Sequence, residues 1–595
     1  MALRQPATTA LTLLLALSLS ACGSDNTDPP TGALETIAEQ SQFTRTGRFD
    51  EVQRLCAAYA DTWPDAVACT EFGRTPEGRP MLALVASRSG ALTAESARER
   101  NLPVLLIQGG IHAGEIDGKD AGFLALRQIL RNEAATDALN NLVIVFIPVY
   151  NVDGHERVGR GNRPNQVGPE EMGWRTTAQN YNLNRDYTKA DAPETQAMLR
   201  LLNAWDPLLY VDLHVTDGAQ FQHDVSNTGE PVHVGDPRLQ PLGRALIADL
   251  NRSLTAAGSL PLDFYPDLVV PDDPSGGFAV AANTPRFSTG YWPLHNRFAL
   301  LVETHSWKDY ATRVRVTRNA IVTLAGMTAA QGSAWLTATR EADMRAQQLG
   351  GQPVAIEYAT GDHTTTIDFK GYAYTRTPSA VSGTVATSYD PATPQVWRIP
   401  LRDTVTPRVT ITAPLGGYVV PAAHAPWMRD KLTLHGVQFT PVTDAVDREV
   451  ETFRADTVRF GEASLEGHLT ATLAGAWRHE RRRIPAGSIY VPMAQPAARL
   501  VMALLEPQSS DSFAAWGFFN NAFERKEYME GYVAEDIAAD MLKDPAVAAE
   551  FRKRLAEDSA FAASPNARLD FFYRRHPSFD ERLNLYPVYR IFAQP

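Results

Sequence analysis

From about residue 40 to residue 350 the chain alternates short apolar runs with stretches of helical length, and this alternation constrains the fold more than any other feature. Runs at Met81–Ala86, Val104–Gln108, Val143–Val149, Leu208–Asp212 and Ala299–Glu303 have the length and uniform apolarity of buried strands. Helical patterns lie between and after them, near Asp117–Arg131, Pro193–Trp205, Arg238–Ala257 and Thr312–Gln348. The pattern predicts an α/β fold: a mixed, largely parallel, doubly wound sheet with helices on both faces. In open sheets of this kind ligands bind beyond the carboxyl ends of the strands, so polar residues at those ends carry information about function.

Past Gly350-Gly351 the pattern changes to β-branched alternation, as in Arg408–Thr412 and His468–Thr472, broken by Pro and Gly turns. The predicted division is an α/β domain over 40–350, a β-rich accessory domain over 351–530, and a helical C-terminal segment over 531–595, with helices near Glu535–Leu542 and Pro545–Ala556. There is no internal repeat. Acidic residues outnumber basic ones, 68 to 56, which disfavours a nucleic-acid partner. Forty Pro and forty Gly occur without a fixed period, which excludes collagen-like and low-complexity chains.

At the N-terminus, Arg4 precedes an apolar run, Ala10–Leu19, too short to be a permanent membrane span. Residues 1–21 read as a secretory signal. Leu19-Ser20-Ala21-Cys22 resembles the bacterial lipobox, which implies cleavage before Cys22 and its lipidation. Residues 22–39 then read as a tether, opening with the polar stretch Gly23–Gly32. The expectation is an exported protein, anchored to a bacterial membrane through lipid only, at the outer membrane facing the periplasm. The remaining cysteines, Cys56 and Cys69, form an even pair in an oxidising compartment, and a disulfide between them is predicted.

Several strand ends finish in groups that suit one metal centre. Val104–Gln108 runs into Gly109-Gly-Ile-His112-Ala-Gly-Glu115, Leu208–Asp212 runs into His214, and Ala299–Glu303 ends in a carboxylate. Two imidazoles and a carboxylate are a zinc ligand set, and a further Glu suits proton abstraction from water. The ordered set His-x-x-Glu, Asn-x-Asn-Arg, strand-end His and strand-end Glu resembles the zinc carboxypeptidases over roughly residues 40–350. Asn151-Val-Asp-Gly154 adds to it, with Val152 where the family has Pro.

The resemblance implies one zinc per chain on His112, Glu115 and His214, with Glu303 as general base. It implies that Asn184 and Arg185 hold the free C-terminal carboxylate of a peptide, that Arg175 stabilises the oxyanion with Arg163 as the alternative, and that Tyr291 is the mobile tyrosine over that carboxylate. Where the family places an Asp to orient the first zinc His, this chain has Asn182, which accepts a hydrogen bond but brings no charge. The implied activity is a periplasmic zinc carboxypeptidase acting on peptides. Two alternatives are a zinc amidase of cell-wall peptides and an inactive peptide-binding lipoprotein.

Asp117, Asp153, Asp186 and Asp212 are candidates for supporting the ligands, and His305 shares a strand face with Glu303. The base of the side-chain pocket is expected between Asp263 and Phe298. The run Arg478–Arg483 reads as a solvated turn or an acidic-partner contact. There is no Gly-x-Ser-x-Gly elbow, His-Glu-x-x-His helix or phosphate-binding Gly-x-x-x-x-Gly-Lys loop.

Overall fold

A computed structural model describes residues 32–595. The predicted signal segment 1–21 and the predicted lipidation at Cys22 lie outside the described residues. Among those described, no helix is long and apolar enough to cross a membrane.

The strands of the N-terminal half are β1 (Val67–Arg74), β2 (Pro80–Ala86), β3 (Val104–Gly109), β4 (Val143–Ile147), β5 (Leu209–Thr216), β6 (Val225–Glu230), β7 (Pro261–Leu262), β8 (Phe278–Ala279) and β9 (Phe298–His305). All but β8 form one sheet in the order β1-β2-β4-β3-β5-β9-β6-β7. Its centre, β4-β3-β5-β9, is parallel, while β1 and β2 pair antiparallel with their neighbours and β6 pairs antiparallel with β9 and parallel with β7. Strands β3, β4, β5 and β9 are buried along their whole length because helices cover both faces of a parallel sheet. That burial is why they appear in the sequence as uninterrupted apolar runs. The helices are Asp117–Leu130, Pro193–Trp205, Gln240–Ala256 and Tyr310–Ala346, each within two residues of its predicted ends.

The packed chain begins before residue 40. Thr36 caps a short helix, Ile37–Gln40, and Arg127 donates to the carbonyl of the buried Leu34 at 2.8 Å, so the later part of the predicted tether belongs to the folded body. Cys56, on helix Phe49–Thr62, is joined by a disulfide to Cys69 on the edge strand β1, with Cα atoms 5.4 Å apart. The bridge ties the helix to an edge that has neighbours on one side only. Replacing both cysteines by Ser is expected to lower stability by about 3 kcal/mol, the loop-closure entropy of a short ring, read as a fall in the denaturant midpoint.

The second half is strand-rich but is not a detached domain. Thr364–Pro378 and Val385–Arg402 form a long hairpin whose base pairs with β8. Val446–Phe460 and Ala471–Ile484 belong to a six-stranded sheet that also contains Gly417–Val420 and Ile489–Pro492. The predicted boundary at 530 needs correction. Residues 531–573 are helical, yet the chain then returns as strand Tyr589–Ile591 between Gly417–Val420 and Val446–Phe460. The run Arg478–Arg483 is a strand segment paired with Asp447–Thr452, not a turn. One hydrophobic core holds Leu105, Val211 and Leu300 of the first sheet together with Met428, Leu432, Val501 and Tyr586.

Candidate active site

The site lies beyond the carboxyl ends of β3, β5 and β9. After β3 the chain turns through Gly110 (φ +65°), where a β-carbon would lie about 3.5 Å from Val149 and a non-glycine residue would also pay for the left-handed backbone. This turn brings His112 and Glu115 back over the sheet edge before helix Asp117–Leu130 begins. His214 on β5 and Glu303 on β9 are direct partners in the parallel register, so their side chains leave the same face.

His112, Glu115 and His214 are buried and converge, with donor atoms within 4.8 Å of one another. Glu115 Oε1 lies 3.0 Å from His112 Nδ1, and Oε2 lies 3.0 Å from His214 Nδ1. The outer imidazole nitrogens have their own neighbours: His112 Nε2 is 3.1 Å from Asn182 Oδ1, and His214 Nε2 is 3.0 Å from Asp212 Oδ2. With protons on both Nε2 atoms, both Nδ1 lone pairs point inward, as ligands to a cation require. His112 Nδ1 and Glu303 Oε2 are buried without a hydrogen-bond partner among the described residues. A buried imidazole nitrogen left without a hydrogen bond, beside a carboxylate and a second imidazole, fits a zinc ion.

Electrostatics prepare the ligands unequally. Burial drives His112 down to about 4, so it is neutral at physiological pH. For His214 burial works the same way, but the neighbouring carboxylates of Asp212, Glu303 and Glu115 outweigh it and hold the imidazolium well above its usual range. Burial alone would protonate Glu115; His112 and Arg163 reverse this and keep it ionised. Glu303 is pushed up to about 8 by burial, reinforced by Glu115, Asp217 and Asp212 and opposed by His214. A cation on the three ligands would draw Glu303 back toward ionisation.

Both arginines weighed from sequence reach Glu115. Arg163 makes the shorter contact, 2.7 Å, and Arg175 lies at 3.4 Å. Of the two, only Arg175 lines the cavity. Asn184 and Arg185 line the same cavity of about 380 Å³ as the ligands and Glu303. Asn182 Oδ1 accepts from Asn184 N at 3.1 Å, and Asn184 Oδ1 accepts from Ser288 N at 3.1 Å. The Arg185 guanidinium stacks 4.4 Å from the Phe287 ring and donates to Asn184 O at 2.7 Å. Burial, then the field of Arg175, makes its charge costly, and no carboxylate of the described residues lies within ion-pair distance of it.

Tyr291 is the residue the structure moves out of the site. It is fully buried on helix Ser288–Tyr291, its hydroxyl 2.9 Å from His435 Nδ1, and it does not line the cavity. The tyrosine on the cavity wall is Tyr265, whose hydroxyl donates to Asp217 at 3.4 Å. Of the four aspartates, only Asp212 touches a ligand. Asp117 pairs with Arg313, Asp153 with Thr75 and Arg79, and Asp186 with Lys189. His305 stacks on Phe221 at 3.7 Å and serves packing. The far wall of the cavity includes Asp263, Tyr265, Asp267 and Ala279–Ala281 from the expected segment. It also includes Thr228–Glu230, Val232, His233 and Ile247, which the sequence reading missed.

Residues 52–256 match a family model described as zinc carboxypeptidase. Carboxypeptidase D of Anas platyrhynchos is 24% identical over 197 residues, which is 31% of this chain but only 13% of that protein. Carboxypeptidase 2 of Trichophyton tonsurans is 23% identical over 463 residues, 75% of this chain and 79% of its own length. A solved carboxypeptidase A from Helicoverpa armigera aligns with 49% of this chain and 74% of its own at 16% identity, with a TM-score of 0.35. The matched span, less than half of the chain, holds His112, Glu115 and His214, the set that suits zinc, and over that span the chain is similar to the zinc carboxypeptidases.

Proposed function

We propose that this protein is a zinc-dependent metallocarboxypeptidase that removes the C-terminal residue of peptides. The observation that carries the reading is the shared cavity: Arg185, a stacked cation without a carboxylate partner among the described residues, faces the same space as His112, Glu115, His214 and Glu303. His112, Glu115 and His214 would hold a zinc ion, which when bound would supply Lewis-acid polarisation of a carbonyl and activation of water. The chain's own groups do the rest. Arg185 and Asn184 fix the terminal carboxylate, which places the last peptide bond beside Glu303. Glu303 takes a proton from the attacking water and delivers it to the leaving amine. Arg175 donates to the oxygen on which charge develops. Tyr265, rather than Tyr291, is the tyrosine placed to close over the substrate.

The tethered, periplasmic location rests on Leu19-Ser-Ala-Cys22 and the signal-like residues before it. With Cys22 lipidated, the substrates are peptides that reach that membrane face, nutrient or cell-wall peptides alike.

The test is mass spectrometry of a peptide pool with free and amidated C-termini, incubated with the zinc-loaded protein. Stepwise loss of single residues from free acids only is the expected result; internal cleavage, or equal attack on amides, would refute the reading. Arg185→Ala is expected to lower kcat/KM on free acids by roughly 100-fold, since a charged hydrogen-bonded contact is worth about 1.5–3 kcal/mol. Arg185→Lys should recover part of that loss, because a point charge replaces a fork.

A further inference from the structure

The segment that carries Asn182, Asn184 and Arg185 is held from outside the α/β half. Glu466, in the second half, accepts from the backbone N–H of Asn182 at 3.2 Å. Two residues on, His468 Nε2 is 2.7 Å from Asp191 Oδ2, at the far end of the same segment. Leu465 and His468 exchange both backbone hydrogen bonds, 2.8 and 2.9 Å, so Glu466 and Gly467 are the two central residues of a tight turn. Both have positive φ, +48° and +83°. Such a turn favours Asn or Gly at its first central position, and a glutamate there carries backbone strain. The side chain placed at that cost is the one that reaches Asn182.

Asn182 is itself a junction. Its side-chain oxygen lies 3.1 Å from His112 Nε2 and 3.1 Å from Asn184 N, joining a metal ligand to the residues of the carboxylate pocket. We infer that the turn Leu465–His468 is a strut that holds the Asn182–Arg185 segment in register with His112, which makes Glu466 a positioning residue for both the metal and the substrate carboxylate. The metal arm stands on the ligand cluster alone; the carboxylate arm rests on the function proposed above. Glu466 touches neither metal nor substrate and acts by fixing the peptide plane from which Asn182 projects. Outer partners of metal ligands typically contribute 10–100-fold to affinity. Glu466 stands one bond further out, so a smaller effect, about 3–10-fold, is expected.

The full chain is titrated with zinc against a chromogenic chelator, and hydrolysis of a free-acid peptide is followed separately. Glu466→Ala is expected to weaken zinc binding about 3–10-fold and to raise KM by a similar factor, with kcat changed less. Glu466→Gln, which retains an acceptor, should restore both. Glu466→Gly relieves the strained backbone, so a folding defect cannot account for its behaviour, and it should resemble Glu466→Ala in zinc binding. Wild-type zinc affinity and KM in both Glu466→Ala and Glu466→Gly would overturn the inference, as would Glu466→Gln failing as badly as Glu466→Ala. If the wild-type chain binds zinc but hydrolyses no peptide, the functional reading fails while the zinc titration still decides the strut.

Discussion

Glu303→Gln is expected to lower kcat by roughly 10²–10⁴-fold while zinc binds as before, because the change removes a proton acceptor and leaves all three ligands in place. Gln fills the same volume on the same face of β9, opposite His214, so cavity shape is conserved. Residual turnover above a tenth of wild type, with metal content verified, would show that another group accepts the proton. The variant should also separate catalysis from stability. The folded carboxyl is raised from 4.5 to about 8, so the metal-free wild type loses stability as pH climbs through that window, where the unfolded chain is ionised and the folded one is not. Metal-free Glu303→Gln escapes that penalty. Its advantage in melting temperature should be absent at low pH, grow from about 4.5 to about 8, and level off above.

Removing zinc with a chelator is expected to abolish hydrolysis, and restoring zinc to recover it. The binding itself should depend steeply on pH. His112 is driven down to about 4 by burial and is ready to bind at neutrality, whereas Asp212, Glu303 and Glu115 hold a proton on His214 against the pull of burial. That proton must leave before Nδ1 can serve a cation. Zinc affinity should therefore rise about tenfold per pH unit near neutrality for each proton released. Calorimetry in buffers of different ionisation enthalpy measures that release directly. A pH-independent affinity, with no buffer dependence of the heat, would show that His214 is already neutral and would contradict its assignment as the ligand that titrates.

The parts of the fold legible in sequence were those where burial leaves a simple pattern. Strands β3, β4, β5 and β9 are covered on both faces and read as apolar runs. Strand β6, Val-Ser-Asn-Thr-Gly-Glu, was not legible because it is mostly polar, and its buried Ser and Asn find partners outside the sheet ladder. Asn227 donates to Asn251 at 2.7 Å, and Ser226 donates to the carbonyl of Phe264. The clustering of His112, Glu115 and His214 could be anticipated because each sits at or just past a strand end, in an order that resembles the zinc carboxypeptidases. The tyrosine could not. Tyr265 lies in a loop after the two-residue strand β7, while Tyr291 looked suitable until His435, distant in sequence, claimed its hydroxyl. Nor does any spacing announce Glu466, since its partner Asn182 is reached only after two halves of the chain have docked.

The pairing of Tyr589–Ile591 inside the second sheet bears on the timing of synthesis. A ribosome that has released Glu303 must add some 286 further residues before that strand exists, a delay on the order of tens of seconds. For most of that interval the turn at Leu465–His468 has not been made, and after it is made its sheet is unfinished, so the segment bearing Asn182, Asn184 and Arg185 lacks its outer support. The nascent chain thus carries His112, Glu115, His214 and Glu303 well before the contact from Glu466 to Asn182 can form, so the surroundings of this cluster are among the last parts of the molecule to be completed.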